Sequence, residues 1–123
     1  MNILVVDDEL PITSSIKAVL KKSGHAVDSV CNGAEALTRL AELPNHYHIL
    51  IVDHAMPKVL GLELMVHLPV NTFSGGIIVL SGFLTPELEA KYLALGADRI
   101  MQKPFDVHEL RKAIEELGPL PAA

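Results

Sequence analysis

The chain has 123 residues, enough for one compact domain with its own core and too few for two. Fifteen acidic against ten basic side chains leave a net charge of −5, which disfavours a nucleic-acid backbone as a direct partner. Aliphatic runs such as Ile3-Leu4-Val5-Val6 fall far short of the ~20 residues that cross a bilayer. The start, Met1-Asn2-Ile3, carries no basic leader, and the lone Cys31 has no internal disulfide partner, so the expected setting is the reducing cytoplasm, away from membranes.

The run Ile3–Val6 is short, branched and continuous, the pattern of a strand covered on both faces, and it stops at Asp7. Ile12, Ile16, Val19 and Leu20 then fall on one helical face, and Gly24 stands where that helix ends. Asp8 is placed to cap this helix as well as to act beside Asp7. A second strand covers Ala26 to Val30. Asn32 and Glu35 have the spacing of a helix cap, with a cap oxygen and a third-position carboxylate serving free backbone donors. The run Ile49–Val52 stops at Asp53 and the run Ile77–Leu80 at Ser81. Thr85-Pro86 opens a further helix that Gly96 ends, and a weaker strand, Arg99–Gln102, stops at Lys103. Asp106 with Glu109 marks the start of a last helix, whose face is lined by Val107, Leu110, Ile114 and Leu117. Residues 118–123, Gly-Pro-Leu-Pro-Ala-Ala, read as a tail or the start of a linker.

About five strands alternating with helices imply an α/β domain: an open parallel sheet with right-handed crossovers and helices on both faces. Function in such sheets gathers outside the carboxyl ends of the strands. Those ends carry Asp7, Asp8, Asp53, Ser81 and Lys103. Unit charges ~4 Å apart at a protein surface repel by about 4 kcal/mol, so three acids at one rim call for a cation, and all-oxygen ligands suit Mg²⁺, with Mn²⁺ possible. An ammonium and a hydroxyl beside a metal-bound carboxylate make a place for a phosphoryl group, with Asp53 as nucleophile and Lys103 and Ser81 holding phosphoryl oxygens.

These residues resemble the receiver domain of bacterial two-component response regulators, over residues 1–117. The matching pieces, in order, are Asp7-Asp8-Glu9, Asp53-His54-Ala55-Met56-Pro57 with Gly61, Leu80-Ser81-Gly82, Gly96-Ala97-Asp98 and Lys103-Pro104-Phe105. The resemblance implies a three-layer, flavodoxin-like fold with strand order 2-1-3-4-5. It makes Asp53 the acceptor of a phosphoryl group from a sensor histidine kinase or phosphotransfer protein. Asp8 and Asp53 would then bind Mg²⁺ directly, Asp7 through water and Ala55 through its backbone carbonyl, while Lys103 and Ser81 meet the phosphoryl group. It implies a cis peptide bond before Pro104. It also implies that phosphorylation shifts a two-state equilibrium at the face of the fourth helix, fifth strand and fifth helix, where an output protein or domain docks. Such a module is not an enzyme on other substrates; it catalyses only its own phosphorylation and dephosphorylation.

The sequence departs from the family pattern in places. Ile100 stands where many relatives have an aromatic residue, and it is expected simply to pack. His54 replaces an aliphatic residue and is expected to be satisfied by a backbone carbonyl. His46, Tyr47 and His48 read as a solvated loop, and Gly75-Gly76 as a sign of a looser loop from Asn71. Lys91, Tyr92, Arg111 and Lys112, mixed with acids on the last two helices, suit either partner docking or a wet face. A phosphohydrolase of the haloacid dehalogenase type would need its nucleophile on the first strand and a cap segment. A flavin or dinucleotide binder would need a glycine-rich loop where Asp7-Asp8-Glu9 stands. The remaining alternative is a degenerate receiver that binds partners without phosphorylation.

Overall fold

The computed structural model describes residues 1–8, 10–43, 46–54, 61–68, 73, 75–82, 84–103 and 105–117. The expected elements that fall elsewhere, the 118–123 tail, the loop from Asn71 and the bond before Pro104, lie outside these residues. Strands and helices alternate as β1 (Asn2–Val6), α1 (Leu10–Lys22), β2 (Ala26–Val30), α2 (Gly33–Glu42), β3 (Ile49–Asp53), α3 (Gly61–Val66), β4 (Gly76–Ser81), α4 (Pro86–Ala94), β5 (Arg99–Gln102) and α5 (Val107–Leu117). All strand pairs are parallel, in the order β2-β1-β3-β4-β5.

Side-chain alternation along the strands explains why the aliphatic runs are continuous. Ile3, Val5, Ile49, Ile51, Ile78 and Leu80 point to one face, where Ile16 and Leu20 of α1 and Leu110 and Ile114 of α5 cover them. Leu4, Val6, Leu50, Val52 and Val79 point to the other, against Ala36 and Leu40 of α2, Leu64 and Met65 of α3, and Tyr92 of α4. β1, β3 and β4 are therefore buried on both faces, whereas β2 and β5 are edges that alternate with exposed or half-buried positions. That is why Asp28 and Ser29 interrupt β2 and why β5 is the weakest strand signal.

The helix boundaries follow the cap chemistry, with one change. Asn32 accepts from the Glu35 N–H at 2.9 Å, but the Glu35 carboxylate reaches one residue further back than expected, to the Cys31 N–H at 3.1 Å. Asp106 accepts from the His108 N–H at 2.8 Å. Gly96 adopts φ +105°, and the Gly96 and Ala97 N–H groups bond back to the Leu93 and Tyr92 carbonyls, ending α4 in a left-handed turn that favours glycine. At the start of α4, Thr85 accepts from the Leu88 N–H at 3.1 Å, with Pro86 at the first helical position. Because α4 buries only Tyr92 among its residues, this cap matters to it. Thr85→Ala is expected to cost about 1 kcal/mol, checked by denaturant unfolding, and to speed hydrogen exchange in α4 before the rest of the chain.

The segment before β3 corrects the expectation of a solvated loop. Tyr47 is buried, and its hydroxyl donates to Asp28 at 2.6 Å. Burial first, and then this bond, push the Tyr47 phenol above its ordinary pKa. His48 accepts the Asn2 N–H on Nδ1 at 2.9 Å and donates its own N–H to the Asn2 carbonyl at 2.8 Å, so it ties the entry of β3 to β1. Only His46 fits the expectation: it is exposed, edge-on to Tyr47. No helix among the described residues is long and apolar enough to cross a membrane.

Candidate functional site

Register carries the chemistry-bearing residues to one rim. Val6 pairs with Val52, Asp53 with Leu80 and Ser81 with Gln102, so the chain leaves β1 at Asp7, β3 at Asp53, β4 at Ser81 and β5 at Lys103 on the same edge. Backbone bonds extend the alignment past the strands: Asp7 N–H to the Val30 carbonyl, His54 N–H to the Leu80 carbonyl, and Lys103 N–H to the Ser81 carbonyl at 2.7 Å. The order 2-1-3 makes β1 and β3 neighbours, which is what brings acids 46 positions apart in the chain into contact.

Asp7, Asp8 and Asp53 each present a carboxylate oxygen within 4.8 Å of the others. Asp7, Asp53 and Ser81 are buried, while Asp8 is exposed at the mouth. Lys103 reaches across from the end of β5, placing Nζ 3.0 Å from Asp53 Oδ1 and 3.8 Å from Asp7 Oδ2. At an effective dielectric of 20 each such contact is worth about 4–6 kcal/mol of attraction, but one ammonium cannot balance three carboxylates. The donor set consists of hard oxygens without thiolate or imidazole, the choice of Mg²⁺ and Mn²⁺, and it therefore fits the expected ion. Every described site residue expected from the sequence is at this rim. Ala55 lies outside the described residues.

His54 departs from expectation. Its Nδ1 lies 2.5 Å from the Tyr92 hydroxyl, with the rings edge to face at a centroid distance of 5.5 Å, so its partner is a phenol on α4 and not a backbone carbonyl. Tyr92, expected on an exposed helix face, is fully buried. Its burial, and secondarily the nearby Asp53 charge, hold the phenol well above its ordinary pKa, so it keeps its proton. Ile100, as expected, packs against the same cluster of buried residues. Asp98, present in the sequence only as part of the Gly96-Ala97-Asp98 motif, has a role that the sequence did not show: its carboxylate accepts the Ile77 N–H at 2.8 Å while its own N–H donates to the Ile77 carbonyl, aligning β5 with β4 and hence Lys103 with the acids. The turn glycine before it was the available signal.

A family model described as the response regulator receiver domain matches residues 3–115. The chain belongs to this family. This receiver domain is 34% identical over 117 residues to response regulator RppA of Synechocystis sp., covering 95% of the chain and 50% of RppA, so it spans about half the length of that relative. Its fold superposes on chemotaxis protein CheY4 of Vibrio cholerae with TM-score 0.84 and 26% identity, covering 94% and 97% of the two chains. It also superposes on response regulator TrrA of Thermotoga maritima in complex with Mg²⁺-BeF, with TM-score 0.81, 31% identity and coverage of 94% and 97%. The flavodoxin-like order 2-1-3-4-5 is the order of these neighbours. Receiver domains are signalling modules of two-component systems and not enzymes in the usual sense. They bind Mg²⁺ at an acidic pocket and interact with histidine kinases and output domains.

Proposed function

We propose that this receiver domain takes a phosphoryl group onto Asp53 in the presence of Mg²⁺ and, in response, changes the face it offers to an output partner. The donor is the phosphohistidine of a sensor kinase or phosphotransfer protein. An Asp53 carboxylate oxygen forms the new bond to phosphorus as the bond from phosphorus to the donor nitrogen breaks, and the imidazole departs with the electron pair and takes up a proton. The observation that carries the reading is the buried Asp53 carboxylate held 3.0 Å from Lys103 Nζ inside a cluster of three acids.

Each residue then has a role that its place supports. By family resemblance Asp8 and Asp53 would hold the ion directly, Asp7 through water, and the Ala55 carbonyl would complete the set. An ion held there would supply positive charge against the negative charge developing on the phosphoryl oxygens. Lys103 pairs with a phosphoryl oxygen, and Ser81, buried at the end of the strand between Asp53 and Lys103, offers a hydroxyl to another. Hydrolysis of the acyl phosphate by water resets the domain, which is the extent of its catalysis. That the similar response regulator TrrA forms a complex with Mg²⁺-BeF supports the choice of ion. The output docks on α4, β5 and α5, where Leu93 and Leu95 at the end of α4 are exposed. The assembled acids and Lys103 give no support to a degenerate receiver.

Incubation with acetyl phosphate and Mg²⁺ followed by intact mass measurement tests this. A single adduct of ~80 Da is expected, absent in Asp53→Ala and without divalent ion. An adduct that persists in Asp53→Ala places the acceptor elsewhere; no adduct on the parent chain overturns the reading.

A further inference from the structure

The described residues outside the acid cluster include one polar contact that joins the rim to a distant element. His54 directly follows Asp53, and its N–H bonds to the Leu80 carbonyl, so its backbone cannot move independently of the ends of β3 and β4. Its ring leaves the rim and meets the Tyr92 hydroxyl on α4. Helix α4 is otherwise lightly held. Tyr92 is its only buried residue, Leu88 is half-buried, and Glu87, Glu89, Ala90, Lys91, Leu93 and Ala94 are exposed. A nine-residue helix anchored chiefly through one side chain has a placement that one contact can bias.

The polar character of the contact adds to this. A buried phenol and a half-buried imidazole satisfy each other here, and separating them leaves the phenol unmatched in an apolar layer formed by Leu88, Val79 and Ile100 among others. The pair therefore has one satisfied arrangement, unlike an aliphatic contact that slides at little cost. Any displacement of His54 as Asp53 gains or loses a charged group must be followed by Tyr92 or break the bond. Neither residue type is needed for core volume alone, since phenylalanine would fill the Tyr92 site and an aliphatic side chain the His54 site.

We propose that the His54–Tyr92 hydrogen bond is the link by which the chemical state of Asp53 sets the placement of α4, with Tyr92 acting as a positioning residue. This deepens the phosphoacceptor reading and rests on it for the identity of the natural trigger. The link itself responds to any change of charge at residue 53.

The test uses the full chain with ¹⁵N-labelled amides and has two arms. In the first, wild type and Tyr92→Phe are phosphorylated with acetyl phosphate and Mg²⁺, the adduct is verified by intact mass, and amide shifts are followed at Leu88–Leu95 and at Gln102–Lys103. The expected result is that Tyr92→Phe carries the adduct and keeps the response at Gln102–Lys103. Its α4 response falls about fivefold or more, the lower end of typical coupling between sites. Loss at both places would mean general damage and would count against the link, as would an undiminished α4 response. The second arm needs no phosphorylation. α4 hydrogen exchange is compared in wild type, Asp53→Asn, Tyr92→Phe and the double variant. The expectation is that Asp53→Asn alters α4 exchange only where Tyr92 is present, and additive effects overturn the proposal. Absence of an adduct on wild type would overturn the phosphoacceptor reading, while the second arm still decides the link. His54→Gln, which keeps a hydrogen-bonding side chain, is expected to restore part of the α4 response that His54→Val loses.

Discussion

Replacing Lys103 with methionine is expected to lower the unfolding free energy by about 3 kcal/mol near neutral pH with divalent ions chelated, because it removes one partner of a buried ion pair and leaves the others uncompensated. The Asp53 and Asp7 side chains are 3% and 0% exposed, and Lys103 Nζ lies 3.0 and 3.8 Å from them. Methionine keeps the length and volume of the stem, so the loss is electrostatic. The complementary change has the opposite sign: Asp7→Asn removes one of three mutually repelling carboxylates whose oxygens lie within 4.8 Å, and is expected to stabilise the metal-free domain by about 1 kcal/mol. Millimolar Mg²⁺ should recover much of what Lys103→Met loses, since the ion binds the folded state alone, and the Mg²⁺ midpoint should not weaken. What the variant should lose is the phosphorylation-induced change, because the ammonium's partner in that state is the phosphoryl group. Denaturant titrations with and without Mg²⁺ read the first expectation, and adduct mass with amide shifts reads the second. Equal stability of Lys103→Met and wild type, or equal loss of metal affinity and response, would remove Lys103 from the role given to it.

Gly75→Ala is expected to cost about 2 kcal/mol, the scale of overpacking, although it adds one methyl at a position outside any strand. A Cβ there would stand 2.1 Å from the His48 carbonyl oxygen and 2.7 Å from its carbon. That carbonyl cannot withdraw cheaply. It accepts the Gly76 N–H at 3.0 Å, and His48 is itself held to Asn2 through its N–H and its ring. The methyl therefore displaces the starts of β1, β3 and β4 together. Gly82→Ala, with nothing within 4 Å of its Cβ, is expected to stay within about 0.5 kcal/mol of wild type, and thermal or denaturant unfolding of the pair measures the contrast. Gly75 lies at the opposite edge of the sheet from Asp53, so the folded fraction of Gly75→Ala should still take the phosphoryl adduct.

Much of the molecule is legible in the sequence alone. Continuous branched runs ending in Asp7, Asp53 and Ser81 identify strands covered on both faces, because only a parallel sheet between two helical layers removes the need for alternation. Asn32, Thr85, Asp106, Gly24 and Gly96 mark helix ends through local backbone chemistry, which depends on neighbours in the chain and so can be read from them. The acids, serine and lysine at strand ends could be listed from the sequence, and their convergence followed from the fold class together with the strand order that the family resemblance implied.

What only the tertiary structure decided concerns partners far apart in the chain. His54 and Tyr92 are 38 positions apart, and the mixture of charges around Tyr92 suited either a docking face or a wet one. The packing of α4 turned the Tyr92 ring inward while Glu87, Glu89 and Lys91 stayed exposed, since a short helix with a single large ring buries the ring regardless of the polar residues beside it. His48 and Tyr47 differ from their sequence reading for the same reason: a histidine that replaces a backbone partner and a tyrosine that reaches across to Asp28 leave no local signature, and neither does the close approach of Gly75 to a carbonyl 27 positions away. Local propensity and patterning determined where the chain turns and which faces are apolar. The distances between side chains brought together from different strands and helices, and with them the balance of charge around Asp53, were set by the stacking of three layers that no single segment encodes.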